Sequence, residues 1–203
     1  MFQGRILEYR IAVFGLEGHG KSGVIQRLCA NAFSDTPHTE AEQQSTAVWD
    51  NSFAYFWEFP PDQINSTTID SIVIGFGAIL FVFDINQIDN EQLEKTRLYL
   101  EDLMKSNDIS NTPLLLVATK TDCMDSMLLS DIKPTKLMNS LTENLKKTQL
   151  IFFSAKEGRG AADVQQWILQ RAVTTHVCEA GRTERTQRTQ RGQTSQTASR
   201  AKL

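Results

Sequence analysis

Long apolar stretches, paired cysteines and an excess of basic charge are all missing from this chain of 203 residues. The longest apolar run, IVIGFGAILFVF at residues 72 to 83, falls short of the roughly 20 residues a membrane-spanning helix needs, so no transmembrane segment is read. Arg5, Glu8 and Arg10 interrupt the opening stretch and exclude a secretory leader there. Three cysteines, Cys29, Cys123 and Cys178, stand far apart, which excludes a disulfide framework or a metal knuckle and points to a reduced, intracellular setting. A net charge of -3 argues against a general nucleic-acid binder.

The charge is nonetheless uneven. From Val177 onward six Lys or Arg face two Glu, a net +4 that leaves -7 for the rest of the chain. That stretch has no aromatic residue and repeats Arg-Thr-(Glu/Gln), a composition unable to offset the entropy of ordering its backbone. The expected organisation is one domain over residues 1 to 176 and a basic, low-complexity, disordered tail over residues 177 to 203. With 40% hydrophobic and 22% charged residues, the chain supports one substantial core.

Up to about residue 174, strand-like and helix-like segments alternate. ILEYRIAVFG carries the branched and aromatic content of a strand, and KSGVIQRLCANAF sets Val24, Ile25, Leu28 and Phe33 at helical spacing. STAVW and FAYFW flank Asp50, Asn51 and Ser52, which predicts an antiparallel hairpin. Further strands are expected in AILFVFD, TPLLLVATK and QLIFFS. Helices are expected in NEQLEKTRLYLEDLMKS, near residues 134 to 147, and in AADVQQWILQRAVT. Short apolar strands alternating with helices predict an α/β fold: a mainly parallel sheet covered on both faces, with one antiparallel edge hairpin. Ligands in such sheets sit beyond the C-terminal ends of the strands.

The motifs fall at those ends. GLEGHGKS, residues 15 to 22, matches G-x-x-x-x-G-K-[ST] between a strand and a helix. Gly15, Gly18 and Gly20 permit a tight curl whose N–H groups, with the following helix terminus, suit a polyphosphate. Glu17, His19 and Gly23 complete the nucleotide-facing segment, with His19 expected at a position where bulk is tolerated. Lys21 would reach the β- and γ-phosphates, and the Ser22 hydroxyl would ligate Mg2+.

At this loop the chain resembles the small GTPases, most closely the ADP-ribosylation-factor-like branch, in which the loop typically reads GLDxxGKT. The resemblance runs from about Tyr9 to Val173 and implies a small-GTPase P-loop fold with a six-stranded sheet, binding GTP or GDP with Mg2+. TKTD, residues 119 to 122, resembles the family's NKxD motif, which implies that Asp122 takes the guanine N–H groups and Lys120 packs along the base. A carboxylate facing two donors also favours guanine over adenine. Thr119 replaces the usual asparagine, which is expected to weaken a brace to the phosphate loop. SAK, residues 154 to 156, resembles the motif that implies a contact from the Ala155 N–H to guanine O6, with Ser154 and Lys156 beside it. Thr39 lies where the family threonine reaches Mg2+ and the γ-phosphate; Thr36 competes for that role, Pro37 is displaced by one position, and His38 reads as solvent-exposed.

Spacing from Lys21 places the family's WDxxGQ segment at Trp57 rather than Trp49, which becomes a residue of the preceding hairpin strand. WEFPPD then stands in its place. Glu58 substitutes for the aspartate that supports Mg2+, one methylene longer. Pro61 substitutes for a glycine whose N–H senses the γ-phosphate, and proline has no N–H. Asp62 substitutes for the glutamine that orients water, adding like charge near a triphosphate. Intrinsic hydrolysis is therefore expected to be very slow or absent, and no residue is assigned as catalytic. Two readings stay open: a guanine-nucleotide-binding regulator that meets a protein effector through its switch surface, or a non-hydrolysing structural or adaptor subunit of a larger assembly.

The branch commonly starts with a myristoylated glycine, whereas Phe2 stands here, so no N-myristoyl anchor is expected. Ala201, Lys202 and Leu203 resemble the SKL class of peroxisomal import signals and imply an import receptor as a partner. Cytoplasmic and peroxisomal locations both remain open.

Overall fold

The computed structural model describes residues 5–34, 42–61, 69, 72–87, 90–105, 112–124, 148–174 and 176–179. In chain order these form β1 (Arg5–Phe14), α1 (Lys21–Ala30), β2 (Gln43–Trp49), β3 (Ser52–Glu58), β4 (Ala78–Asp84), α2 (Asn90–Met104), β5 (Leu114–Thr119), β6 (Gln149–Phe152), α3 (Ala161–Arg171) and β7 (His176–Glu179). Short 3-10 turns at Ile85–Gln87 and Thr121–Cys123 follow β4 and β5.

Six strands lie in the order β2-β3-β1-β4-β5-β6. All neighbours run parallel except β2 and β3, which form the expected edge hairpin, with Gln43 opposite Glu58 and Trp49 opposite Ser52. Asp50 makes the turn with a left-handed φ of 49°, a conformation aspartate tolerates better than most side chains. Every residue of β4 is buried, as expected of a central strand covered on both faces.

Alternation along β1 divides the core into two layers. Tyr9, Ile11 and Val13 pack with Val24, Ile25 and Leu28 of α1 and with Val164, Trp167 and Ile168 of α3. Ala12 and Phe14 face the other way, against Leu100 and Leu103 of α2. Trp49 closes the first layer as the last residue of β2, its indole N–H donating to the Leu28 carbonyl at 3.3 Å. No helix among the described residues is long and apolar enough to cross a membrane.

Two expectations change. Phe33 does not continue the apolar stripe of α1: the helix stops at Ala30, Asn31 turns left-handed at φ 49°, and Phe33 is 43% exposed. Asparagine is a good left-handed helix terminator, so it overrides the periodicity. The ordered body also extends past residue 176. On one edge of β1, β3 pairs from Leu7 onward; on the other, β4 pairs only from Ile11. The remaining backbone groups are met by β7, antiparallel, with Arg5 opposite Glu179 and Glu8 opposite His176. Main-chain pairing, which needs no apolar signature, thus moves residues 177–179 from the tail into the sheet. The helix expected near residues 134 to 147, the stretch containing Thr36, Pro37, His38 and Thr39, Asp62, and the chain from residue 180 to Leu203 lie outside the described residues.

Because β1, β3, β4, β5 and β6 are parallel, the loops that follow them meet at one edge of the sheet. The sequence motifs sit in those loops.

Candidate functional site

The phosphate loop is built by close backbone approaches. Gly15 has φ 150°, and a Cβ there would collide with the Val82 carbonyl oxygen of β4. Gly18 (φ 72°) faces open space, and Gly20 (φ 88°) precedes α1 with no side-chain cap. The first amides of α1 therefore have no side-chain acceptor at the cap, where the helix end carries partial positive charge. Buried Lys21 turns its Nζ back to the carbonyl oxygens of Gly15 at 3.1 Å and Leu16 at 3.2 Å. Burial pushes its pKa down, opposed by the carboxylates of Glu58 and Glu17. A buried ammonium on two carbonyls beside an uncapped helix start is a donor set that fits a phosphate group.

Glu58 ends β3 opposite Val13, next to the start of this loop. Its Oε1 accepts from the Ser22 hydroxyl at 2.9 Å, bringing together the two described residues assigned to Mg2+. Hydroxyl and carboxylate oxygens are the ligands such a hard cation takes. Among the described residues no cluster of three His, Cys, Asp or Glu forms a metal cage. Phe59 follows Glu58 and locks the corner: its N–H donates to Val13 O at 3.2 Å and its ring stacks on Phe14 with centroids 5.2 Å apart. Pro60 beyond it is buried.

The loop after β5 is held more firmly than its sequence implied. Thr119 Oγ1 lies 2.6 Å from His19 O and 3.1 Å from Phe83 O. The single hydroxyl proton serves one acceptor at a time, and the shorter contact is the brace to the phosphate loop that the loss of asparagine was expected to weaken. Lys120 follows in a left-handed conformation, φ 59°, with its Nζ 2.8 Å from the buried Asp84 carboxylate. Asn86 completes the support, its Nδ2 donating to Lys120 O at 2.9 Å and to Asp84 Oδ1 at 3.1 Å. Asp84 and Asn86 carried no motif; their places at the end of a central strand and just beyond it were the only signal.

Ser154 Oγ stands 2.7 Å from Asp122 Oδ1, which joins the loops after β5 and β6. Burial works against the charged form of Asp122, but bonds from Ser154, its own backbone N–H and Cys123, with Lys156 nearby, hold its pKa below the usual value. The carboxylate is thus kept as an acceptor. Ala155 and Lys156 follow in the same turn, where the Glu157 N–H donates to Ser154 Oγ at 3.0 Å.

His19 departs from expectation. Rather than decorating the loop, it is 2% exposed, and its Nδ1 has no hydrogen-bond partner among the described residues. Burial lowers its pKa to about 4; Lys21 and Lys120 act in the same direction, against Asp84 and a hydrogen bond with Gln87. The side chain fills the space between the phosphate loop and the turn after β4 instead of pointing to solvent.

A G-x-x-x-x-G-K-S loop after the central strand, with T-K-x-D after β5 and S-A-K after β6, defines a small GTP-binding protein of the P-loop class. The chain belongs to the ADP-ribosylation factor family, whose model matches residues 1–172. It is similar to ADP-ribosylation factor-like protein 3 of Saccharomyces cerevisiae, 24% identical over 81% of this chain and 85% of that protein. It is 26% identical to human ADP-ribosylation factor-like protein 4A over 67% of this chain and 70% of the relative. With ADP-ribosylation factor F of Dictyostelium discoideum it shares 27% identity over 85% of this chain and 89% of that protein. Membership makes it a GTP-binding regulatory protein, with guanine nucleotide as its ligand and Mg2+ as the usual companion.

Proposed function

We propose that this protein binds GTP or GDP through Gly15, Glu17, Gly18, His19, Gly20, Lys21, Ser22 and Gly23 on the phosphate side, and through Thr119, Lys120, Asp122, Ser154, Ala155 and Lys156 on the base side. Its switch surface then meets a protein partner, while GTP is turned over very slowly. Ser22, Glu58 and Thr39 hold Mg2+, which offsets phosphate charge. Phe33, whose ring edge would lie 3.7 Å from a methyl group on Gly23 at the point where Ala155 also approaches, offers an aromatic face to the purine.

The observation that carries the slow-turnover reading is the corner after β3. Phe59 is fixed by its bond to Val13 and its stacking on Phe14, so the backbone reaches Pro61 from an anchored position. Pro61 supplies no N–H to a γ-phosphate. The same corner supports the second reading, a non-hydrolysing adaptor that keeps its nucleotide as a structural element.

The test is to purify the protein gently with magnesium present, identify the nucleotide it retains, and compete a labelled guanine nucleotide with GTP and ATP. Retained GTP or GDP, and competition by GTP alone, is the expected result. ATP competing as well as GTP would remove the guanine reading.

A further inference from the structure

We infer that Arg27 is a positioning residue for base recognition, fixing the Ala155–Lys156 peptide so that the Lys156 N–H faces guanine O6 beside the Ala155 N–H, which belongs to the preceding peptide; this rests on the guanine reading above. Arg27 lies in the last turn of α1, 128 residues from its target. Its Nε donates to Ala155 O at 2.6 Å and its Nη2 to Lys156 O at 2.9 Å. Nη1 donates to Asn31 O at 2.9 Å and Asn31 Oδ1 at 3.2 Å, tying the same group to the end of its own helix. A fork of charge-assisted bonds on two successive carbonyls sets the orientation of two peptide planes at once.

Orientation matters because a trans peptide points its N–H opposite to its C=O. With the Ala155 carbonyl drawn to the guanidinium, the Lys156 N–H of that peptide is aimed away from α1. A charged donor on the carbonyl also polarises the peptide and strengthens its N–H as a donor. The same loop passes close to the first turn of α1: a methyl group on Gly23 would lie 3.3 Å from Ala155 Cβ. Gly23 and Arg27 are four residues apart, on one face of α1. The helix whose first turn receives the phosphates thereby holds, with its last turn, the loop that reads the base. Gly158, left-handed at φ 79°, passes over Arg27, and a Cβ there would meet the guanidinium at an ordinary contact distance of 3.8 Å.

Three diphosphates separate this role from general stabilisation: GDP, inosine diphosphate, which keeps O6 but lacks the 2-amino group, and 2-aminopurine riboside diphosphate, which keeps the amino group but lacks O6. In Arg27→Ala, affinity for GDP and inosine diphosphate should fall roughly tenfold while that for the 2-aminopurine compound stays within about twofold of the parent. Arg27→Lys, which reaches one carbonyl, should fall between, and it decides the matter if the alanine variant does not fold. A folded variant that weakens all three ligands equally, or keeps the parent's ratio of GDP to 2-aminopurine binding, overturns the assignment of Arg27 alone. Unmodified protein that fails to prefer GDP over the 2-aminopurine compound overturns the guanine reading, and the assignment with it.

Discussion

Thr119 Oγ1 lies 2.6 Å from the carbonyl oxygen of His19, a hydrogen bond that joins the loop after β5 to the phosphate loop across 100 residues of sequence. Both groups are buried, so an unmet acceptor would stay unmet. A methyl group on Gly20 would lie 3.3 Å from the same hydroxyl, which leaves little space for another partner to move in.

Thr119→Val keeps the shape of the side chain and deletes the donor. It should cost about 1–2 kcal/mol of stability and speed nucleotide release several-fold, whereas Thr119→Ser should behave like the parent. Thermal melting and the off-rate of a fluorescent GDP read both effects. An off-rate unchanged in the valine variant would show that the brace does not reach the nucleotide.

His19 gives the nucleotide-free protein an acid-sensitive stability. Its pKa falls from 6.5 to about 4 on folding, chiefly through burial. Between those values the unfolded chain takes up a proton that the folded chain refuses. This contribution is therefore complete above about pH 6.5, declines as pH falls toward 4, and is constant below. The full shift amounts to at most about 3 kcal/mol. The difference in unfolding free energy between the parent and His19→Val should slope across that window; a pH-independent difference would place the imidazole in contact with water.

Slow hydrolysis should trace to the corner after Glu58. Pro61→Gly returns a backbone donor and Asp62→Gln a neutral group able to orient water. Neither change alone is expected to do much, because both the closed loop and the side chain are needed. If each adds about 2 kcal/mol to transition-state stabilisation, the double variant gains roughly a thousandfold. Single-turnover hydrolysis of radiolabelled GTP decides it, and brisk hydrolysis by the parent would refute the argument.

The chain's end should divide energetically at β7. Removing residues 181 to 203 deletes no apolar surface of note and should leave the melting temperature within a degree or two. Removing residues 176 to 203 also exposes the edge of β1 that pairs with β7, and should lower it measurably. Equal melting temperatures for the two truncations would mean that the β7 pairing adds nothing to stability.

Local pattern was enough for much of this protein. Alternating apolar strands and helices specify a parallel sheet, because only strands covered on both faces read as continuous apolar runs. The glycines of GLEGHGKS and the spacing to TKTD and SAK put the motifs expected to meet phosphate and base at one sheet edge. The distance from Lys21 to Trp57, rather than Trp49, locates the corner. Contacts between distant residues were a different matter. Thr119 was read as a poorer asparagine, yet the tertiary structure sets its shorter side chain 2.6 Å from the His19 carbonyl. His19 has no periodicity to betray its burial, which comes from the sheet bringing the turn after β4 against the phosphate loop. Arg27 carries no motif of its own, and it is β6, at the far edge, that delivers Ala155 and Lys156 to it. Strand pairing decides these encounters. A side chain's local preference sets the element it joins, whereas the backbone hydrogen bonds that order β3, β1, β4, β5 and β6 determine which loops become neighbours, and no short stretch of sequence carries that order.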